Sequence, residues 1–248
     1  MAAKITLEVV KKEHVTQYVY FVTFKLINPP TIDFKSGQNM MLMIAPGVNR
    51  TMSIASPPNN NNELLMVHDI APMGPGSKWT LDLNVGDSAT IVAPTGGALS
   101  FLDTPRKKIM VATGTGIAPF HGIILDKLSV VSRQPSDAIN KNILKADDRP
   151  LMTLYWGVRF EQDRYWGEEF DRLAKEHSNF TWHQILSKPT ANWKGLTGHV
   201  TEHVLSTETD LHNSEFYLCG IRAMIDEMVE KLTAQNVPKA QIKTELFY

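Results

Sequence analysis

Ile109-Met110-Val111-Ala112-Thr113-Gly114-Thr115-Gly116-Ile117-Ala118-Pro119 runs from an unbroken apolar stretch into two glycines around a threonine, then a proline where a helix can begin. An apolar run with no alternation reads as a strand buried on both faces, the habit of parallel sheets. Glycines let backbone amides come close to a ligand. A helix that follows offers unpaired N–H groups and the positive end of its dipole to a pyrophosphate. Pro119 suits the first helical position, where its missing N–H costs nothing. It also stands where the third glycine of the dinucleotide fingerprint would be, so Thr113, Gly114, Thr115, Gly116 and Pro119 form a related turn rather than that fingerprint. An ordinary glycine-rich strand-to-helix turn is the competing reading, and the strand–turn–helix context favours phosphate.

Downstream, apolar strands at 108–112, 151–156, 181–186 and 215–219 alternate with helical patterns at 120–131, 168–177, 200–205 and 223–235. Such alternation predicts βαβ units around a parallel sheet. The polar stretch 133–150 has no pattern and reads as a long surface loop. Upstream the texture differs. Short β-rich runs at 5–10, 18–26, 40–44, 64–68 and 89–93 are separated by Pro-, Gly- and Asn-rich turns, the spacing of a barrel or sandwich. The change falls near residue 102 and predicts two domains, 1–102 and 103–248.

Bulk properties narrow the function. The 248 residues carry a net charge of −1, which gives no nucleic-acid footprint. The single cysteine, Cys219, excludes an internal disulfide framework and a cysteine-ligated cluster or zinc site within this chain. Eight histidines are scattered without metal-ligand spacing, and His199 with His203 reads as a solvent-facing pair; no metal is expected. No apolar run approaches the ~20 residues that span a bilayer. With no leader pattern at the N-terminus, the expectation is a soluble cytoplasmic protein.

Three further segments carry candidate chemistry. Arg50-Thr51-Met52-Ser53 closes the β-rich part; Arg50 could fork onto a phosphate, or simply sit in a surface ion pair on an edge strand. Cys219-Gly220 ends a strand before a helix, at the carboxyl end where ligands of parallel sheets bind, although a lone Cys is more often a small buried hydrophobe. Glu245-Leu246-Phe247-Tyr248 could be a last strand finishing against the core.

In their order, these segments resemble the ferredoxin–NADP(H) reductase superfamily over nearly the whole chain. The resemblance rests on Arg50-Thr51-Met52-Ser53, Gly76-Ser77, Gly86-Asp87, Ala93-Pro94-Thr95-Gly96, Gly114–Pro119, Gly157-Val158-Arg159, Cys219-Gly220-Ile221-Arg222-Ala223-Met224 and Glu245-Leu246-Phe247. It implies an N-terminal antiparallel Greek-key β-barrel for FAD, followed by a Rossmann-like parallel-sheet domain for NADPH or NADH. It also implies hydride transfer from the nicotinamide to the flavin. Arg50, Thr51, Met52, Ser53, Gly76 and Ser77 would hold FAD, with Ser53 near the reacting flavin nitrogen. Thr113 to Pro119, Arg159, Gly220 and Met224 would serve the nicotinamide dinucleotide. Cys219 and Glu245 would lie by the reacting rings, covered by Phe247 or Tyr248. Met52 departs from the family's tyrosine, losing a hydroxyl but keeping apolar contact.

Electrons would pass to a separate acceptor: a ferredoxin, a haem protein or an oxygenase component. The alternatives are a free-flavin or ferric reductase and an electron-relay or regulatory subunit. Arg159, Arg164 and Lys188 suit a 2′-phosphate while Glu161 and Asp163 do not, which leaves NADH versus NADPH open.

Overall fold

A computed structural model describes residues 2–129 and 150–246. Phe247, Tyr248 and nearly all of the expected surface loop lie outside the described residues. The chain divides into two compact units, Met1–Ser100 with Ala118–Lys127, and Phe101–Ile117 with Leu128–Tyr248.

The first unit is an antiparallel six-stranded sheet built from β1 (Ala3–His14), β2 (Val19–Asn28), β3 (Asn39–Ala45), β4 (Val48–Ser53), β5 (Glu63–Asp69) and β6 (Ser88–Thr95). The spatial order is β4-β3-β6-β1-β2-β5, so β6 returns between β3 and β1 instead of continuing a meander. Strict alternation in β1 puts Ile5, Leu7 and Val9 wholly inside while their neighbours face out, the period-two rule for a sheet with one buried face. The sheet curls until its edges meet. Beyond β4, the Ala55 N–H donates to the Leu65 carbonyl of β5 at 2.9 Å, and the Leu65 N–H donates to Ser56 Oγ at 3.1 Å. Tying the edges in this way removes unpaired strand groups. One short helix, α1 (Pro75–Asp82), follows β5; its weak apolar periodicity left it unseen in the sequence.

The second unit has a six-stranded parallel sheet, ordered β10-β9-β8-β7-β11-β12. Its strands are β7 (Lys107–Thr113), β8 (Met152–Val158), β9 (Phe180–Leu186), β10 (Leu196–Thr197), β11 (Ser214–Gly220) and β12 (Ile242–Leu246). Central β7 buries Ile109, Met110, Val111 and Ala112 completely, as an unalternated run should. Helices α3 (Gly167–Glu176), α4 (Val200–Thr207) and α5 (Arg222–Ala234) fall where the periodicity places them, within a residue or two. The expected antiparallel Greek-key barrel followed by a Rossmann-like parallel sheet is found as a curled six-stranded antiparallel sheet followed by a six-stranded parallel one.

One helix departs from expectation. Following β7, a 3-10 turn at Gly114–Ile117 leads into α2 (Ala118–Ser129), so Pro119 is the helix's second residue. The sequence places α2 wholly beyond the boundary at 102, yet residues Ala118–Lys127 group with the first unit. The reason is visible in its partners. His121 Nδ1 lies 2.8 Å from the Ala55 carbonyl, and Ser36 Oγ donates to Asp126 Oδ2 at 2.8 Å. Among the described residues, no helix is long and apolar enough to cross a membrane.

Candidate functional site

In the first unit, three elements converge on one spot. Arg50 is exposed on β4, where its Cα pairs with Leu42 of β3. His68 sits on β5, and Gly76 is the second residue of α1. A Cβ placed on Gly76 would lie 3.4 Å from Arg50 Cγ and 3.3 Å from His68 Cε1. Only the bare glycine backbone leaves that space open between a cation and an imidazole. Helix α1 begins Gly74-Pro75-Gly76-Ser77 with no side chain capping it. Its early N–H groups therefore lack intrahelical partners and face outward with the positive dipole end.

Arg50 spends one guanidinium nitrogen on its neighbour, Asn49 carbonyl, at 2.8 Å. The rest of its fork makes no hydrogen bond among the described residues. Lys12 anchors the other end of α1, donating to the carbonyls of Leu81 and Leu83 at 2.8 and 2.7 Å. An arginine fork, a helix N-terminus and a glycine gap together suit a phosphate group.

The remaining residues of the Arg50 segment divide by face. Thr51 is exposed, whereas Met52 (8% exposed) joins the hydrophobic cluster of the curled sheet, opposite Met40. Ser53 is buried opposite Asn39, and Ser77 is buried in the first turn of α1. His68 is the residue that sequence reading missed. Its Nδ1 is hydrogen bonded to Thr80 Oγ1 at 2.7 Å. Burial holds the imidazole below its ordinary pKa; Asp69 opposes that shift and Arg50 adds to it. A lone histidine on a strand carries no motif, so the sequence offered no signal for it.

The second unit builds another opening where the sheet changes direction. From β7 the chain goes to β8 and β9 on one side, and β11 then returns on the other, which makes the carboxyl ends of β7 and β11 a topological switch point. The two ends touch through backbone. Gly220 has φ +142, and a Cβ there would overlap Thr113 Oγ1; a Cβ on Gly116 would overlap the Cys219 carbonyl. Thr113 Oγ1 accepts the Ile221 N–H at 3.0 Å, and Trp156 Nε1 donates to the Gly114 carbonyl at 2.9 Å, which fixes the turn from below. Gly114 is exposed and Thr115 half-buried; Gly116 and Pro119 are buried.

Cys219 pairs in register with Ala112 and with Glu245 of β12, so Glu245 arrives beside the cysteine from a third strand. Burial raises the Cys219 thiol well above its ordinary pKa, and the Glu245 charge adds to this. The group is therefore a neutral, polarizable thiol rather than a nucleophilic thiolate. Met224 is buried in the first turn of α5, inside the core.

The cations considered for coenzyme selection are placed differently from one another. Arg159 is exposed just past β8, its carbonyl bonded to the Lys188 N–H at 2.9 Å. Arg164 is engaged elsewhere: its guanidinium lies 5.8 and 5.3 Å from the Trp182 and Trp193 rings, with Nε donating to Gln184 at 3.3 Å. Glu161 accepts both the N–H and the hydroxyl of Thr190, at 2.9 and 2.6 Å.

Comparison with known proteins agrees with this geometry. Residues 110–230 match the oxidoreductase NAD-binding domain. The whole chain superposes on the ferredoxin NADP+ reductase from Neisseria gonorrhoeae with bound FAD and NADP (TM-score 0.78, 19% identity, 100% of both chains). It also superposes on the Amycolatopsis cytochrome P450 reductase GcoB (TM-score 0.83, 23% identity, 99% of this chain and 70% of that one). The fold is that of the ferredoxin–NADP reductase-like FAD/NAD oxidoreductases.

Sequence relatives point the same way. The anthranilate 1,2-dioxygenase electron transfer component of Acinetobacter baylyi is 28% identical over 87% of this chain and 59% of its own length. One component of the Na(+)-translocating NADH-quinone reductase of Pseudomonas aeruginosa is 30% identical over 78% of this chain and 43% of its own. The chain thus spans about half the length of these curated relatives. Residues 110–230 carry the oxidoreductase NAD-binding domain, and the chain as a whole has the ferredoxin–NADP reductase-like fold.

Proposed function

We propose that this chain is an FAD-dependent oxidoreductase that accepts electrons from NADH or NADPH and delivers them to a separate protein acceptor. One observation carries the reading: Arg50, Gly76 and the uncapped start of α1 meet in the first unit, and glycine-bared strand ends meet at Thr113–Gly116 and Gly220 in the second, which we read as two separate places for a phosphate and so for two dinucleotides. Arg50, with the Gly76 and Ser77 amides, holds the FAD diphosphate. Thr51 and Ser53, on the same strand, would hold the flavin end, with the Ser53 hydroxyl serving the reacting nitrogen and Met52 backing the strand from the core. Thr113, Gly114, Thr115, Gly116 and Pro119 receive the nicotinamide dinucleotide diphosphate, and Arg159 lies toward its adenosine end. Gly220 and the neutral Cys219 thiol shape the nicotinamide pocket, with Glu245 beside the thiol, while Met224, expected to line it, is packed in the core and serves by fixing the start of α5.

Bound FAD supplies the ability to take two electrons from a reduced nicotinamide and release them singly or as a pair. The protein's part is to orient the two cofactors and exclude water. With Cys219 its only cysteine, the chain cannot itself hold a cysteine-ligated cluster. We place the one-electron acceptor outside this chain: a ferredoxin, a haem protein or an oxygenase component. The relatives named as an electron transfer component and as part of an NADH-quinone reductase support an electron-delivery role.

The test is direct. Purified protein should be yellow, and Arg50→Ala should lose FAD on gel filtration while keeping the parent circular dichroism; full retention of FAD would argue against the assignment. Anaerobic addition of NADH or NADPH should bleach the flavin. A bound flavin that neither coenzyme bleaches would identify an electron relay instead of an enzyme.

A further inference from the structure

We propose that His68 is a second side-chain ligand of the flavin diphosphate, donating from Nε2 as a neutral imidazole and gaining a proton when the anion binds. The proposal rests on the FAD reading above and adds a residue and a pH dependence to it. Three observations meet at His68. Its ring lies against Gly76 on the side that Arg50 also faces; a Cβ on Gly76 would stand 3.3 Å from Cε1, 3.6 Å from Nε2 and 3.4 Å from Arg50 Cγ. Its Nδ1 is taken by Thr80 Oγ1 at 2.7 Å, and Thr80 is completely buried. Its Nε2 makes no hydrogen bond among the described residues. With the Thr80 hydroxyl donating to Nδ1, the neutral ring carries its proton on Nε2, beside the uncapped start of α1. A half-buried N–H donor close to the glycine gap that Arg50 also borders, at the start of a helix, has a natural complement in a multivalent anion.

The charged or titratable groups that face His68 are Asp69 on its own strand, Tyr20 directly opposite on β2 and Arg50 on β4; the nearby α1 groups, Gly76 and Thr80, are uncharged. Burial, with Arg50, keeps the free imidazole neutral against Asp69. A diphosphate beside it raises its proton affinity. The complex then binds more protons than the free protein, so FAD affinity rises as pH falls through the range between the two pKa values.

FAD binding to the apoprotein, measured by flavin fluorescence quenching, tests this alongside the Tm of the apoprotein. In His68→Leu the dissociation constant should rise about tenfold or more, the loss of one donor to a charged group, with the apoprotein Tm lowered by the unpartnered Thr80 hydroxyl but the folding transition still cooperative. His68→Gln keeps a neutral N–H and should stay within about threefold of the parent. Parent affinity should increase from about pH 8 to about pH 5.5, and this slope should vanish in His68→Gln. Parent-like affinity in His68→Leu, or a pH slope that persists in His68→Gln, overturns the proposal. If Arg50→Ala loses FAD while His68→Leu does not, His68 is excluded and the flavin reading stands. If the parent itself binds no FAD, both fall. Should His68→Leu not fold, the pH profile of His68→Gln decides alone.

Discussion

Cys219 shows how far one side chain's surroundings set its chemistry. The thiol is fully buried between Ala112 and Glu245 in adjacent strands, and both burial and the carboxylate hold it protonated. A neutral thiol offers polarizable packing and no nucleophile. Cys219→Ala should therefore slow reduction of bound flavin by NAD(P)H in anaerobic stopped-flow by about tenfold, from looser alignment of the coenzyme. FAD affinity should stay at the parent value, and unchanged reduction kinetics would contradict the placement. At this scale the sequence was unevenly legible. Gly114–Pro119 announces itself because strand, turn and helix are contiguous and the physics is local. Arg50 stood out only through the order of segments around it. His68 gave no signal, because its meaning comes from Gly76 and Thr80 on a helix that the sequence did not reveal.

Among elements, the second unit depends on two parallel strands whose ends meet without side chains between them. Gly220 has a backbone conformation that L-residues rarely adopt and no room for a Cβ against Thr113. In Gly220→Ala, strain and overlap should together cost about 1–3 kcal/mol of stability in urea unfolding, and the Michaelis constant for the nicotinamide coenzyme should rise several-fold. A variant with parent stability and parent kinetics would show that the strand ends can separate freely. In the first unit, α1 depends on Lys12, reaching from β1 to the helix's last carbonyls. That support explains how a helix with little amphipathic pattern holds a fixed N-terminus. The strands were legible from period-two and unbroken apolar runs, whereas α1 was not, because its register comes from a lysine remote in sequence.

Across the second unit as a whole, one buried ion pair joins the entry segment to the sheet. Lys108 Nζ donates to Glu215 Oε2 at 2.6 Å, with both side chains 1% exposed, and its other bonds go to Leu102 carbonyl and Thr104 Oγ1. Thr104 and Tyr217 hydroxyls donate to the same carboxylate, and Tyr217 accepts the Leu102 N–H. Burial alone would raise the Glu215 pKa, but Lys108, Thr104 and Tyr217 together outweigh it and hold the group below its ordinary value. Its contribution to stability is therefore present above the unfolded carboxylate pKa and is lost as pH falls through the lower folded value. Glu215→Gln should cost on the order of 3 kcal/mol at neutral pH, since a buried ammonium loses its counter-charge. It should also remove this group's share of the acid-limb loss seen in a pH series of urea melts. An unchanged neutral-pH stability would mean that the pair contributes no net stabilisation.

The sequence by itself determined what local chemistry can determine: a β-rich part and a strand–helix alternating part, and the glycine turn after β7. These follow from side-chain period and from what glycine and proline permit within a few bonds. Only the tertiary structure decided which distant residues share a site. Curling the antiparallel sheet brought β4 and β5 to its two ends and made Arg50, His68 and Gly76 neighbours. Sending β11 back to the far side of β7 put Cys219 beside Ala112 and Glu245. The grouping of α2 with the first unit was likewise decided by His121 and Asp126 finding partners there. Long-range pairing depends on closing a sheet and reversing a chain, and no short window of sequence encodes either.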